Sequence, residues 1–140
     1  MKRTQFGWVT VTIVLIVNSI VIFQFPHPTT FLLISIISLI TILMFYKLTI
    51  TVSEKCVQYS FGIGLIKGSY KLNDIISCKP ISYMPLGWGI RFRPGVILYN
   101  VSGNKAIELE VKNKKRKIWI GTNVPEELAD YINSQRSQVV

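Results

Sequence analysis

From Thr4 to Tyr46 the chain runs 43 residues without an Asp, Glu, Lys or Arg, and every charge it owns lies just before that stretch or after it. This division assigns one part of the chain to lipid and the other to water. A hydrocarbon core of about 30 Å takes roughly 20 apolar helical residues to cross, so the stretch is too long for one span and suits two. Its one break is Gln24 to Thr30, QFPHPTT. Pro26 and Pro28 would each cost a helix a backbone hydrogen bond, and Gln24 and His27 prefer water. The expected unit over residues 1–46 is therefore a transmembrane helical hairpin, with one span from about Phe6 to Phe25 and a second from about Thr29 to Tyr46. Neither stretch carries the polar periodicity of a soluble amphipathic helix, and two spans of this length cannot close a barrel.

Lysine and arginine near the span ends set the orientation. Lys2 and Arg3 precede the first span, Lys47 and Lys55 follow the second, and the connecting loop has neither residue type. Both termini are expected on the cytoplasmic face of the cell inner membrane. A cleaved leader is the competing account of the first span, but no small-x-small site precedes Pro26. Asn18 and Ser19 fall at about the depth of Ser35 and Ser38 when the chain folds back at His27. Such pairs hydrogen-bond across a helix interface for about 0.6 to 2 kcal/mol each. The spans hold no ionisable group, which argues against a substrate path.

Residues 47–140 form a second unit of 94 residues, enough for one small domain with a modest core. They carry 14 Lys and Arg against 7 Asp and Glu, a balance of +7 that suits an anionic inner leaflet. Charge alone would also suit a nucleic acid, yet a domain tethered to a bilayer has lipid as its nearer polyanion, so nucleic acid is not expected as a partner.

The pattern of this unit is mostly strand. Leu48, Ile50 and Val52 alternate with Thr49, Thr51 and Ser53; Val57, Tyr59 and Phe61 alternate with Cys56, Gln58 and Ser60. Phe61-Gly-Ile-Gly-Leu65 turns into a strand near Ile66 to Leu72, and another covers Ile75 to Ser82. Pro85-Leu-Gly-Trp-Gly89 loops into Ile90 to Arg93, followed after Pro94-Gly95 by Val96 to Val101. Ile107, Leu109 and Val111 alternate with Glu108, Glu110 and Lys112. Asn113-Lys114 would close a two-residue hairpin, a register that sets Glu110 opposite Lys117 and Leu109 opposite Ile118; a four-residue loop from Asn113 to Arg116 keeps the same inward parity and is the alternative. The period then becomes helical: Val124, Leu128, Tyr131 and Ile132 form an apolar stripe, while Glu126, Glu127, Asp130 and Asn133 face water. Asn123 is the expected N-cap, with Glu126 three residues on.

Some seven short strands and one amphipathic C-terminal helix give the fold class expected here: α+β, with the helical hairpin followed by a pleckstrin-homology-like (PH-like) antiparallel β-barrel that the helix caps. The order of two spans, a strand opening LTITV, then GWGIR (Gly87 to Arg91), YNVSG (Tyr99 to Gly103), AIELEV (Ala106 to Val111) and IGTNVPEELADYI (Ile120 to Ile132), resembles a family of bacterial membrane proteins with a PH-like domain. The resemblance covers nearly the whole chain and implies a fold and a membrane setting, with no reaction. Where such sequences often have a Gly-containing turn after the AIELEV strand, this chain has Asn113-Lys-Lys-Arg-Lys117.

Catalytic and cofactor chemistry find no footing in these residues. The single histidine, His27, falls in the loop across the membrane from the domain, with no partner assignable beside it. Cys56 and Cys78 lie 22 positions apart without a CxxC or a second histidine, so no metal or redox pair is expected. By strand parity Cys78 lies with Ile76 and is assigned to the core. Phe61-Gly-Ile-Gly-Leu65 lacks the third glycine and the helix of a dinucleotide loop. The expectation is a protein that is not an enzyme and takes no small-molecule substrate.

Two features stand out. Lys112, Lys114, Lys115, Arg116 and Lys117 put five positive charges in six residues, either a solvated hairpin tip or a contact for lipid phosphates or an acidic protein. Trp88, Arg91 and Arg93 are the other, with both arginines on one face of a strand and the tryptophan in the Gly-rich approach; a barrel strand with solvated arginines competes with an anion or peptide site. The function expected is a membrane-anchored binding or scaffolding module whose partners are the bilayer and a membrane or cytoplasmic protein, another copy of itself included. A sensor of anionic lipid headgroups is the alternative. Fold alone does not carry phosphoinositide binding.

Overall fold

The computed structural model describes residues 1–85 and 87–139; Leu86, within the expected Pro85–Gly89 loop, and Val140 lie outside them. The chain is mixed α+β. It opens with a strand, β1 (Lys2–Phe6), and continues into two apolar helices, α1 (Trp8–Gln24) and α2 (Pro28–Phe45). The break between the helices follows from Pro26 and Pro28: the residue before a proline is pushed out of the helical region, His27 is extended, and Pro28 takes the first turn of α2, where no N–H is required. α2 is long and apolar enough to cross a membrane, and α1, at 17 residues, is shorter. The two pack against each other through Asn18 and Ser38, which exchange hydrogen bonds of 2.7 and 2.9 Å.

Eight further strands follow, β2 (Lys47–Val52), β3 (Cys56–Phe61), β4 (Ile66–Lys71), β5 (Ile75–Ser82), β6 (Gly89–Arg93), β7 (Val96–Asn100), β8 (Lys105–Val111) and β9 (Lys117–Gly121), then α3 (Pro125–Val139). They form a four-stranded sheet in the order β1-β2-β3-β4 and a five-stranded sheet in the order β5-β8-β9-β7-β6. Among the described residues the two sheets do not close into a barrel. The alternation read from the sequence sets the inward faces: Leu48, Ile50, Val52, Val57, Tyr59 and Phe61 from the first sheet meet Ile107, Leu109, Ile118 and Ile120 from the second. Leu128, Ala129 and Ile132 of α3 complete this core, with α3 lying along β5 and β8.

Several expectations are corrected here. A boundary at residue 46 gave residues 1–6 to the membrane unit, whereas Lys2–Phe6 pairs antiparallel with β2, from Lys2 opposite Thr51 to Phe6 opposite Lys47. Five residues with two charges carry too little pattern to mark a strand; the partner that stabilises it is supplied 40 residues later by the chain leaving α2. Cys78 is buried, but Ile76 is exposed, because a bulge between Ile75 and Ser77 breaks the alternation. Asn123 is not the helix cap. Its Oδ1 accepts a 2.8 Å bond from Gln5 Nε2, and the helix begins at Pro125, whose fixed φ suits a first helical position. Asn133 does not simply face water: its Nδ2 donates to the Cys78 carbonyl at 2.9 Å.

Candidate functional site

The Leu109–Ile118 register holds, and the β8–β9 ladder stops there. Val111 stays paired with Ile75 of β5 but has no partner on β9, so the chain beyond Leu109 opens into a loop wider than a two-residue hairpin. Asn113 turns it at φ 62° and Lys114 N–H donates to the Val111 carbonyl at 3.2 Å. All six residues from Lys112 to Lys117 are exposed. Lys117 is drawn aside: its Nζ donates to Glu108 Oε1 at 2.8 Å, while Trp119 Nε1 donates to Glu108 Oε2 at 2.8 Å. Burial alone would push the Glu108 carboxyl up, but these two hydrogen bonds and the Lys117 charge outweigh it and hold the group below the usual carboxylate range. The same bond raises the Lys117 ammonium. Lys112, Lys114, Lys115 and Arg116 have no ion-pair partner among the described residues.

Three of these cations rim a cleft of about 320 Å³ whose floor is Tyr70, Ile97, Tyr99 and Ile118. Tyr70 comes from β4, Ile97 and Tyr99 from β7, and Ile118 from β9, so the cleft is the gap where the two sheets part. Tyr59 lies behind it, its ring 4.5 Å from that of Tyr99 and 6.2 Å from that of Tyr70. Gly68 makes room for this ring, since a Cβ there would overlap the Tyr59 phenol. Burial drives the Tyr59 and Tyr70 hydroxyls above their ordinary range and keeps them neutral. β4 is an edge of its sheet, with one row of backbone groups unpaired by any described strand. An aromatic floor, a cationic rim and an open strand edge together suit an extended acidic segment with an apolar anchor residue.

The second expected constellation is spread along β6. β6 is the other sheet's edge, and Arg91 and Arg93 share its outer face, where both hold the preceding loop in place. The Arg91 guanidinium packs so close to Gly87 that a Cβ there would strike it. Arg93 Nη2 donates to the Met84 carbonyl at 3.2 Å, and its guanidinium lies 5.8 Å from the centre of the Tyr83 ring. Tyr83 closes a small second core with Leu98 and Ala106, and burial pushes its hydroxyl up to about 12. Trp88 stands at the opposite end of β6 from Arg93, half-buried, with its Nε1 unpartnered among the described residues.

The ends of the strands are not equivalent. Gly7 N–H donates to the Tyr46 carbonyl at 2.8 Å, Ile63 N–H to Leu43 at 3.2 Å, and Thr10 Oγ1 to Val101 at 3.3 Å. The helices thus join the domain where β2 begins and where β3 and β7 end. Lys117 N–H donates to the Gly95 carbonyl at 2.9 Å, which places the basic loop where β7 and β9 begin. The loop is separated from the helix junction by the length of β7, about 13 Å at about 3.3 Å per residue. The structure therefore brings Lys114, Lys115 and Arg116 to two tyrosines that sequence reasoning did not single out; their signal was the inward parity of Tyr70 with Ile66 and of Tyr99 with Ile97. His27 lies far from this cleft, between the helices, its Nδ1 3.4 Å from Thr29 Oγ1. Among the described residues no three His, Cys, Asp or Glu side chains are grouped to hold a metal ion. No protein-family model, curated protein or solved structure matches the chain.

Proposed function

We propose that this chain is a membrane-anchored binding module. In this reading α1 and α2 cross the inner membrane as a hairpin with both termini cytoplasmic, and a PH-like domain holds an acidic protein segment in the cleft beneath the basic loop. Support for the hairpin comes from the length and apolarity of α2, from the satisfied Asn18–Ser38 pair, and from Phe6 and Trp8, exposed at the start of α1 where interfacial aromatics belong. Support for a PH-like assignment is the element order, two mainly antiparallel sheets closed by a C-terminal helix, together with the sequence motifs. The observation that carries the function is the seating of Lys114, Lys115 and Arg116 on an aromatic cleft beside a free strand edge. The alternative, a sensor of the membrane's own headgroups, is weakened by position. A loop at the far end of β7 from the helix junction, about 13 Å away at about 3.3 Å per residue, holds its cations above the headgroup layer and not within it.

The test uses the full chain, because a fragment beginning at Lys47 lacks β1. Crosslinking in native membranes is compared between the wild type and a variant with Lys114, Lys115 and Arg116 all changed to Gln. The expected outcome is loss of the crosslinked protein partner. If the partner is retained, and the variant in neutral nanodiscs instead loses salt-sensitive binding to phosphatidylglycerol vesicles, the lipid-sensor reading replaces this one.

A further inference from the structure

The outer face of the first sheet is a second, separate concavity. Its side chains form two rows across β2, β3 and β4: Thr49, Ser60 and Lys67 in one, Thr51, Gln58 and Ser69 in the other. They line a groove of about 660 Å³ whose mouth is Ile63 and Gly64. No carboxylate lines it, and Lys67 has no ion-pair partner among the described residues. Five hydroxyl or amide side chains and one ammonium make a lining able to donate many hydrogen bonds to an anion while offering it no like charge.

The position of the groove identifies the anion. The β3–β4 turn is fastened to the junction of α2 and β2 by Gly62 N–H on the Lys47 carbonyl at 2.8 Å and Ile63 N–H on the Leu43 carbonyl at 3.2 Å. Gly62 has φ +50°, and a Cβ there would overlap the Leu43 and Met44 carbonyls, so the turn sits directly on the helix end. Yet Ile63 and Leu65 are 59% and 70% exposed. Two bare aliphatic side chains beside a helix that crosses a bilayer lie at the level of the acyl boundary. The headgroup layer is about 5 to 8 Å deep, and two strand residues rise about 7 Å, so the Thr49–Ser60–Lys67 row falls at headgroup height.

We propose that this groove binds the phosphate-bearing headgroup of an anionic phospholipid from the bilayer that α2 spans, with Lys67 on the phosphate and the flanking hydroxyls and Gln58 on the headgroup's polar end. The inference rests on the membrane-spanning reading of α2 but is independent of the acidic partner in the tyrosine cleft. A photoreactive benzoylphenylalanine replaces Thr51 in the full chain, and in a separate control Ile40 within α2. Both are irradiated in phosphatidylcholine nanodiscs with and without phosphatidylglycerol, and the adducts are weighed. Phosphatidylglycerol adducts at position 51 are expected, falling roughly tenfold in Lys67→Gln, as loss of one charge-assisted bond implies. Free glycerol 3-phosphate should leave them unchanged. Lipid adducts at position 40 with none at 51 overturn the groove assignment, as does full competition by glycerol 3-phosphate. Absence of adducts at position 40 overturns the membrane reading itself.

Discussion

Glu108 shows how one carboxylate organises the base of the basic loop. It accepts from both Lys117 and Trp119, and the pair of bonds depresses its pKa although burial opposes this. A depressed folded-state pKa gives stability that is fully present above the unfolded value of about 4.3 and is lost as pH falls through the lower folded value. Thermal unfolding of the wild type should therefore drop on acidification below about pH 4, and Glu108→Gln should flatten that limb while lowering the midpoint near neutrality. Equal acid slopes for the two proteins would remove Glu108 from this role. Cys78 offers a simpler test at the same scale. Burial pushes its thiol up to about 12, so at neutral pH iodoacetamide should modify the half-buried Cys56 and spare Cys78 in the folded chain. Modification of Cys78 without unfolding would contradict its place in the core.

At the scale of elements, β1 changes how the domain is built. It precedes the helices in sequence and joins the sheet that follows them, so of two adjacent strands β1 runs straight into α1 and β2 straight out of α2. Gln5 anchors the arrangement. It is 3% exposed, and its Nε2 donates to the Ser102 carbonyl at 3.0 Å and to Asn123 at 2.8 Å, while Arg3 forms an ion pair with Glu127 of α3. Losing a buried polar group's partners costs about 1 to 3 kcal/mol, so Gln5→Ala should lower the denaturant midpoint of the full chain by a corresponding amount. The fragment from Lys47 onward should be weaker still and should self-associate, because its β2 edge is bare. Sedimentation of that fragment with and without a peptide of residues 1–7 checks this: the peptide is expected to restore the monomer, and a fragment that is monomeric alone would deny β1 its structural part.

For the whole molecule the proposed hairpin is tested by asking which side of a bilayer each part would face. The uncharged loop at Pro26 to Pro28 against Lys2, Arg3, Lys47 and Lys55 predicts that loop outside. After Cys56 and Cys78 are replaced, His27→Cys should react with an impermeant thiol reagent in intact cells, and Ser134→Cys only once the membrane is opened. The reverse pattern would invert the molecule and place both proposed sites outside the cell. Between the helices and the domain there is no slack. Strand passes into helix at Gly7 and Tyr46, where backbone hydrogen bonds tie the two junctions together, so the cleft is held at a fixed attitude to the helices.

Sequence periodicity determined what depends on local order. The uncharged run, its proline break, the inward faces of β2, β3 and β8, the shared inward parity of β8 and β9 and the helical stripe of α3 all follow from alternation or spacing within one segment. Each is a property of neighbours a few residues apart. Tertiary structure decided what depends on partners distant in the chain. β1 exists because β2 returns beside it; the Ile75–Ser77 bulge exposes Ile76 where parity would bury it; Asn123 turns to Gln5 in place of the helix end. The same reason separates the candidate residues. Five cations in six positions were legible as a cluster, but the tyrosines beneath them come from strands nearly 30 residues apart. Arg91 and Arg93 read alike in sequence, whereas the segment before β6 engages both as supports, because a guanidinium can satisfy a carbonyl or lie against an aromatic ring only where the fold delivers one.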